Sequence, residues 1–406
     1  MVKRWIENDV RSAMAARRGV FLTGARQSGK TTLASMLKFA NAKRLTLDNA
    51  GVRVAAQTDP ITFVERKVNQ TMVIDEVQKA PGLLDAIKIR LDEDQSKGQY
   101  LLTGSSNLRF IKAVRDSLAG RLATIRLRTL ALAELNGHAP DFLERAFRGE
   151  FEAGAEAMGK HDVIRCAFVG GYPEQLGFSE SERRRWFRGY LEDLLTKDVK
   201  DVTEIRKVDV LKEVAVWMMA HSSQYFAVDD LCTRAGISKQ TAENYMEALR
   251  ALYVFDKVPA WSKSDYDRIG KRAKWIVADT GLMANILRWK EDVVFEESAQ
   301  NGKLVESWVY HELAAQADAL GGYEISQYRD KDKREIDFLV ENDDGGLLGV
   351  EVKAGALVGE DDFKHMKWFA KNLAKAPFVG IVLYSGKEIL PFGKGYYAVP
   401  LSSLGS

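Results

Sequence analysis

Val20-Phe21-Leu22-Thr23-Gly24-Ala25-Arg26-Gln27-Ser28-Gly29-Lys30-Thr31 is the stretch that decides the fold. Its first residues are a short apolar run of the kind that makes a buried strand. From Gly24 to Thr31 it fills every fixed position of G-x-x-x-x-G-K-[ST], and a helix is expected to follow over residues 30–39. Gly24 and Gly29 let backbone amides curl around a phosphate with no side chain in the way, and the positive end of the following helix points to the same place. Lys30 is expected on the β- and γ-phosphates of ATP and Thr31 on Mg2+, with Gly24, Ala25, Arg26, Gln27, Ser28, Gly29, Lys30, Thr31 and Thr32 making up the nucleotide-binding segment.

Outward from this loop, residues 1–20 read as a helix with Trp5, Val10, Ala13 and Met14 near one face. Strands are expected at 44–47, 72–74 and 100–103, and a helix at 83–91. Strands alternating with helices predict an α/β fold, a doubly wound parallel sheet whose ligands gather at the carboxyl ends of the strands. Thr71-Met72-Val73-Ile74-Asp75-Glu76 is an apolar strand that ends in two acids at that edge. Asp75 is expected to hold Mg2+ through water, and Glu76 to orient and polarise the attacking water; helix capping is the competing use of either acid alone. The strand at 100–103 runs into Gly104, Ser105, Ser106 and Asn107, which makes Thr103, Ser105 and Ser106 candidate sensors of the γ-phosphate. Arg121 stands just before a strand expected at 123–127, where it is a candidate catalytic cation for the phosphate of a neighbouring subunit. A plain surface arginine is the alternative there.

A chain of 406 residues is long enough for two or three domains, each with its own core. Cys166 and Cys232 are too few and too far apart for a disulfide framework or a zinc site, which points to a reducing, cytoplasmic setting. The opening residues lead into mixed charge and the apolar runs are too short to span a bilayer, so neither secretion nor membrane insertion is expected. A net charge of +2 supplies no global positive field, so any contact with DNA or RNA has to come from local basic patches.

Residues 130–206 read as mainly helical, a lid or connector. A helix at 208–220, a short helix that stops at Gly236, a helix at 239–252 capped by Ser238 and a strand at 253–258 give the outline of a winged helix-turn-helix. In its second helix Lys239 and Arg250 are offset by Glu243 and Glu247, which leaves few phosphate contacts and makes protein or subunit docking an equal reading. Apolar runs at 275–277, 336–340, 347–352 and 379–383, with helices at 304–317 and 361–370, predict a second α/β domain. The expected divisions are 1–140, 141–206, 207–261 and 262–406.

Within that last domain Asp337 lies in one apolar strand, and Glu351 and Lys353 lie in the next, after a turn at 342–346. Alternation puts Glu351 and Lys353 on one face, and a hairpin would bring Asp337 beside them. Two carboxylates would then hold a second Mg2+ or Mn2+ while the lysine positions a water; a salt-bridged hairpin without activity is the competing reading.

GARQSGKTTL, LTLDNA, VIDEVQ, LLTGSSN and SLAGR, taken in order, resemble the AAA-type P-loop ATPases of bacteria and archaea that carry a C-terminal domain of unknown function. The resemblance continues through GGYPEQ at 170–175, YLEDLLTKDV at 190–199 and GKLVESWVYHEL at 302–313. It implies an AAA-like core, a winged-helix module and a terminal domain similar to the PD-(D/E)xK nuclease fold, in which Glu306 resembles an extra helical acid. The resulting expectation is a homo-oligomeric ATPase whose nucleotide state moves a winged-helix and nuclease-like arm, with nucleic acid as its target. An ATP-regulated signalling or assembly switch and an ATP-dependent nuclease are the two rivals.

Overall fold

Apolar runs broken by turn residues and alternating with helices have one economical arrangement, a sheet covered on both faces. The computed structural model describes residues 2–39, 41–105, 118, 120–151, 158–201, 207–262 and 272–406. In it β1 (Gly19–Thr23), β2 (Lys43–Thr46), β3 (Met72–Asp75), β4 (Tyr100–Gly104) and β5 (Leu122–Arg126) form a parallel sheet in the order β2-β3-β4-β1-β5. The helices Glu7–Ala16 and Lys30–Met36 cover one face, where Val10, Met14, Leu33 and Leu37 pack on Val20 and Leu22. The helix Gly82–Glu93 covers the other, with Leu83 and Ile87 on Phe21, Ile74 and Leu102. Both covering helices of the first face are shorter than the sequence suggests, because Arg17 and Leu37 turn to extended backbone.

Register fixes what the sheet presents. Thr23 lies level with Gly104 and Arg126, and Thr46 with Asp75, so Gly24, Glu76 and Ser105 all emerge at the same carboxyl edge. Gly19 lies level with Leu122, which puts Arg121 at the opposite edge.

Helices Lys160–Val169, Glu180–Thr196 and Val208–Ala220 follow. Then come Val228–Ala235, a left-handed Gly236 at φ +62°, and Lys239–Ala251 capped by the Ser238 hydroxyl. The antiparallel pair β6 (Phe255–Val258) and β7 (Lys274–Val277) completes this unit. The strand begins two residues later than its apolar pattern suggests, because Tyr253 turns the chain with φ +60°.

The last unit has six strands in the order β12-β13-β11-β10-β9-β8. These are β8 (Tyr323–Arg329), β9 (Glu335–Asn342), β10 (Leu347–Lys353), β11 (Phe378–Tyr384), β12 (Leu390–Pro391) and β13 (Tyr396–Pro400). The expected hairpin is β9 with β10. The helix Ser298–Leu320 packs Trp308, Val309 and Leu313 against Phe338, Val340, Leu348 and Val350, in a cluster that also takes in Phe168, Phe187, Met218 and Leu249. The helical segments and the terminal sheet therefore share one core. Met366 and Phe369 of the helix Lys364–Asn372 pack with Ile336 and Val382 in a separate cluster. No described helix is long and apolar enough to cross a membrane.

Candidate functional site

The loop after β1 is built from glycine by necessity. Gly24 has φ +148°, and a Cβ on it would fall 2.1 Å from the Leu127 carbonyl oxygen; Gly29, at the start of the next helix, has φ +100°. Arg4 anchors the loop from beneath, with Nη1 donating to Ser28 O at 2.9 Å and Nε to Glu134 Oε1 at 2.8 Å. The Lys30 ammonium is buried and donates to Gly24 O at 3.0 Å and Ala25 O at 2.7 Å. Burial pushes its pKa down to about 8, against the opposing pull of Glu76 and Asp75.

The acid-ended strand meets this loop. The Thr31 hydroxyl lies 3.0 and 3.1 Å from the two Asp75 carboxylate oxygens, and the Thr103 hydroxyl also bonds to Asp75 Oδ1. Glu76 stands in the left-handed region at φ +58°, with its backbone N–H donating to Thr103 Oγ1 at 3.2 Å. Its carboxylate accepts from Gln78 Nε2 and from Ser105 Oγ, and burial raises its pKa while Lys30 draws it back. Sequence reasoning missed Gln78, a buried side chain that also donates to Ser105 Oγ at 3.0 Å; its only signal was its place in VIDEVQ. Ser106 lies outside the described residues. Arg121 is not brought to the site: at the far edge of the sheet it forms a two-pronged ion pair with Asp92, at 2.6 and 2.9 Å.

Later segments reach the same loop. Arg26 Nη1 bonds both oxygens of Asp198, at 2.8 and 3.1 Å, and the Tyr190 hydroxyl donates to Arg26 O at 3.4 Å. At the base of the loop, Thr23 Oγ1 lies 2.7 Å from the Tyr253 hydroxyl. Beside this contact Arg126 and Arg128 hold Asp256 at 2.7 and 2.6 Å. Burial alone would raise the Asp256 carboxyl, but the two guanidiniums hold it well below the usual carboxylate range.

The C-terminal acids lie near one another, the charges of Asp337, Lys353 and Glu306 all acting on Glu351. Asp337 Oδ2 accepts from the backbone N–H of Val352 at 2.9 Å, and Lys353 Nζ pairs with Glu351 at 3.2 Å and Asp362 at 3.5 Å. Between the acids sits a cation the sequence reading missed. Lys274 Nζ, on a side chain only 1% exposed, lies 2.8 Å from Glu306, 3.2 Å from Glu335 and 3.6 Å from Asp337. Burial opposes its charge, yet those three carboxylates hold its pKa above the ordinary lysine value. Lys274 thus links Glu306 and Glu335 with Asp337, whereas the second Mg2+ or Mn2+ was expected on Asp337 and Glu351, of which Glu351 pairs with Lys353. Among the described residues no group of three or more His, Cys, Asp or Glu side chains is arranged to hold a metal ion.

Comparison with known proteins places these sites in context. Residues 16–136 match a family model described as an AAA domain, while 160–293 and 301–404 match two models each described as a domain of unknown function. Uncharacterised proteins of Mycobacterium bovis and Mycobacterium tuberculosis are each 25% identical over 388 residues, spanning 95% of this chain and 80% of their own. A solved Walker-type ATPase of Pyrococcus abyssi is similar over 71% of this chain and 96% of its own, at 14% identity and a TM-score of 0.41. With the loop, the acid-ended strand and the parallel sheet in one stretch of chain, residues 16–136 match an AAA-type P-loop ATPase domain in both sequence and architecture.

Proposed function

We infer that this chain binds ATP on Gly24–Thr31 and hydrolyses it with Glu76 as the acid that orients water. The observation that carries the reading is the meeting of Lys30, Thr31, Asp75, Glu76 and Thr103 at one sheet edge. Lys30 and the loop amides bind the phosphates, and Lys30 exchanges its two carbonyl partners for phosphate oxygens. The Thr31 hydroxyl and the Asp75 carboxylate, 3.0 Å apart, are oxygen donors of the kind Mg2+ takes. When bound, the ion would neutralise phosphate charge. Glu76 holds the attacking water and takes up its proton, with Gln78 and Ser105 fixing the carboxylate. Thr103 and Ser105, bonded to Asp75 and Glu76, respond to the γ-phosphate through the two acids. Arg121 lies across the sheet from its own loop, so catalytic use of it requires a neighbouring subunit. Calorimetric titration with Mg·ATP tests the site: binding by the wild type and none by a folded Lys30→Ala variant is expected. Equal affinity in the two proteins would remove the assignment.

For the C-terminal unit, Lys274 favours an interaction module moved by the ATPase over a metal-dependent nuclease acting on DNA or RNA. Lys274 is a cation already in place for Glu306, Glu335 and Asp337, and Lys353 is one for Glu351. The full chain, free of nucleotide, should therefore melt at the same temperature with and without millimolar Mg2+ or Mn2+. A metal-dependent rise that disappears in Asp337→Ala would restore the nuclease reading.

A further inference from the structure

The segment YLEDLLTKDV at 190–199 has no part in the chemistry above, yet three of its residues bear on the phosphate loop. Arg26 is the third residue of that loop. Both Asp198 oxygens hold its guanidinium, the Tyr190 hydroxyl holds its carbonyl oxygen, and the charge of Asp193 also acts on it. Tyr190 is itself fixed, accepting from the Tyr172 hydroxyl at 2.8 Å and stacking on Trp186. Asp198 is close enough for its charge to act on Lys30 as well. One carboxylate, delivered by the turn that follows the helix Glu180–Thr196, thus faces both cations of the loop.

A nucleoside triphosphate brings several negative charges to the same two cations. Phosphate and Asp198 then compete, because like charges in a partly desolvated site repel strongly. The helix that delivers Asp198 buries Phe187, Leu191 and Leu194 in the core shared with Met218, Leu249 and Trp308. A displacement of its last turn is therefore passed to the winged-helix segment and the long C-terminal helix.

We propose that Asp198 is the internal ligand that phosphate displaces from Arg26, and that its release converts nucleotide binding into movement of the helix Glu180–Thr196. The proposal rests on the assignment of Gly24–Thr31 as the nucleotide site. It makes Asp198 a positioning residue, acting through Arg26, and it makes the strength of the signal depend on the number of phosphates.

Asp198→Asn removes the charge and keeps the size and a hydrogen-bonding oxygen. Calorimetry with Mg·ATP, Mg·ADP and AMP should show ATP binding tightened roughly three- to tenfold, ADP less and AMP least, as repulsion scales with phosphate charge. Hydrogen exchange over residues 180–199 should rise when wild type binds Mg·ATP, and should already be raised in nucleotide-free Asp198→Asn. Arg26→Ala leaves the Asp198 charge unpaired beside Lys30, so it should weaken ATP binding, and adding Asp198→Asn should restore part of the loss. Equal shifts for ATP and AMP, unchanged exchange in Asp198→Asn, or no recovery in the double variant would each overturn the proposal. If wild type binds no nucleotide, the site assignment falls first and the proposal with it; if wild type binds and Lys30→Ala does not, the site stands and the Asp198 results decide alone.

Discussion

Lys30 is the residue whose chemistry is most exposed to measurement. Burial holds its pKa near 8 in the free protein, while bound phosphate favours the charged form. Below that value the ammonium is already charged and affinity is steady. Above it the proton has to be taken up on binding, so ATP affinity falls with rising pH, by at most about tenfold per unit. Titrations with Mg·ATP between about pH 7 and 9.5 check the sign, and a flat profile would contradict a buried, phosphate-seeking lysine. Lys30, Thr31, Asp75 and Glu76 were legible because their spacing on a strand, loop and helix is itself the signal. Gln78, Asp198 and Tyr253 were not. Each is an ordinary residue in its own segment, and only the fold brings Asp198 to a partner 172 residues away, or Tyr253 to one 230 residues away. Glu76 carries a further feature that no pattern announces, a left-handed backbone held at the site by the Thr103 hydroxyl.

At the scale of elements, β5 and β6 meet through charge. Arg126 of β5 and Arg128 just beyond it share Asp256 of β6, and Arg128 also pairs with Asp318 at 2.6 Å. Asp256→Ala would leave two guanidiniums largely buried with a partner missing, which costs about 3–5 kcal/mol in comparable buried pairs. Urea unfolding should show a loss of that size, and a loss below about 1 kcal/mol would mean the pair is well hydrated. The elements themselves were largely readable. Alternation of apolar runs with helices gave the parallel sheet, and the turn residues at 342–346 gave the β9–β10 hairpin. The late start of β6 was hidden in Tyr253, since nothing in a tyrosine marks a left-handed turn. Lys274 was hidden for the opposite reason: a lysine at the mouth of an apolar run reads as the end of a strand, and its three acids lie 32 to 63 residues further on.

In the whole molecule, the phosphate loop at the edge of one sheet touches later segments through contacts that include Arg26 with Asp198 and Tyr190, and its base does so through Thr23 with Tyr253. Beyond them the helical segments and the terminal sheet share a core, so a shift at these contacts has a packed route to the β8–β13 sheet. Hydrolysis would reset such a coupling after each round of binding, which makes turnover of ATP the central claim. The most direct measurement is Mg2+-dependent phosphate release from ATP by wild type and Glu76→Gln, with ATP affinity measured in parallel. The expected result is turnover by wild type, with Glu76→Gln binding ATP within about twofold and slowed by roughly a hundredfold or more, because the acid acts on water only during the chemistry. Equal rates in the two proteins, or no phosphate release by a wild type that binds Mg·ATP, would contradict it.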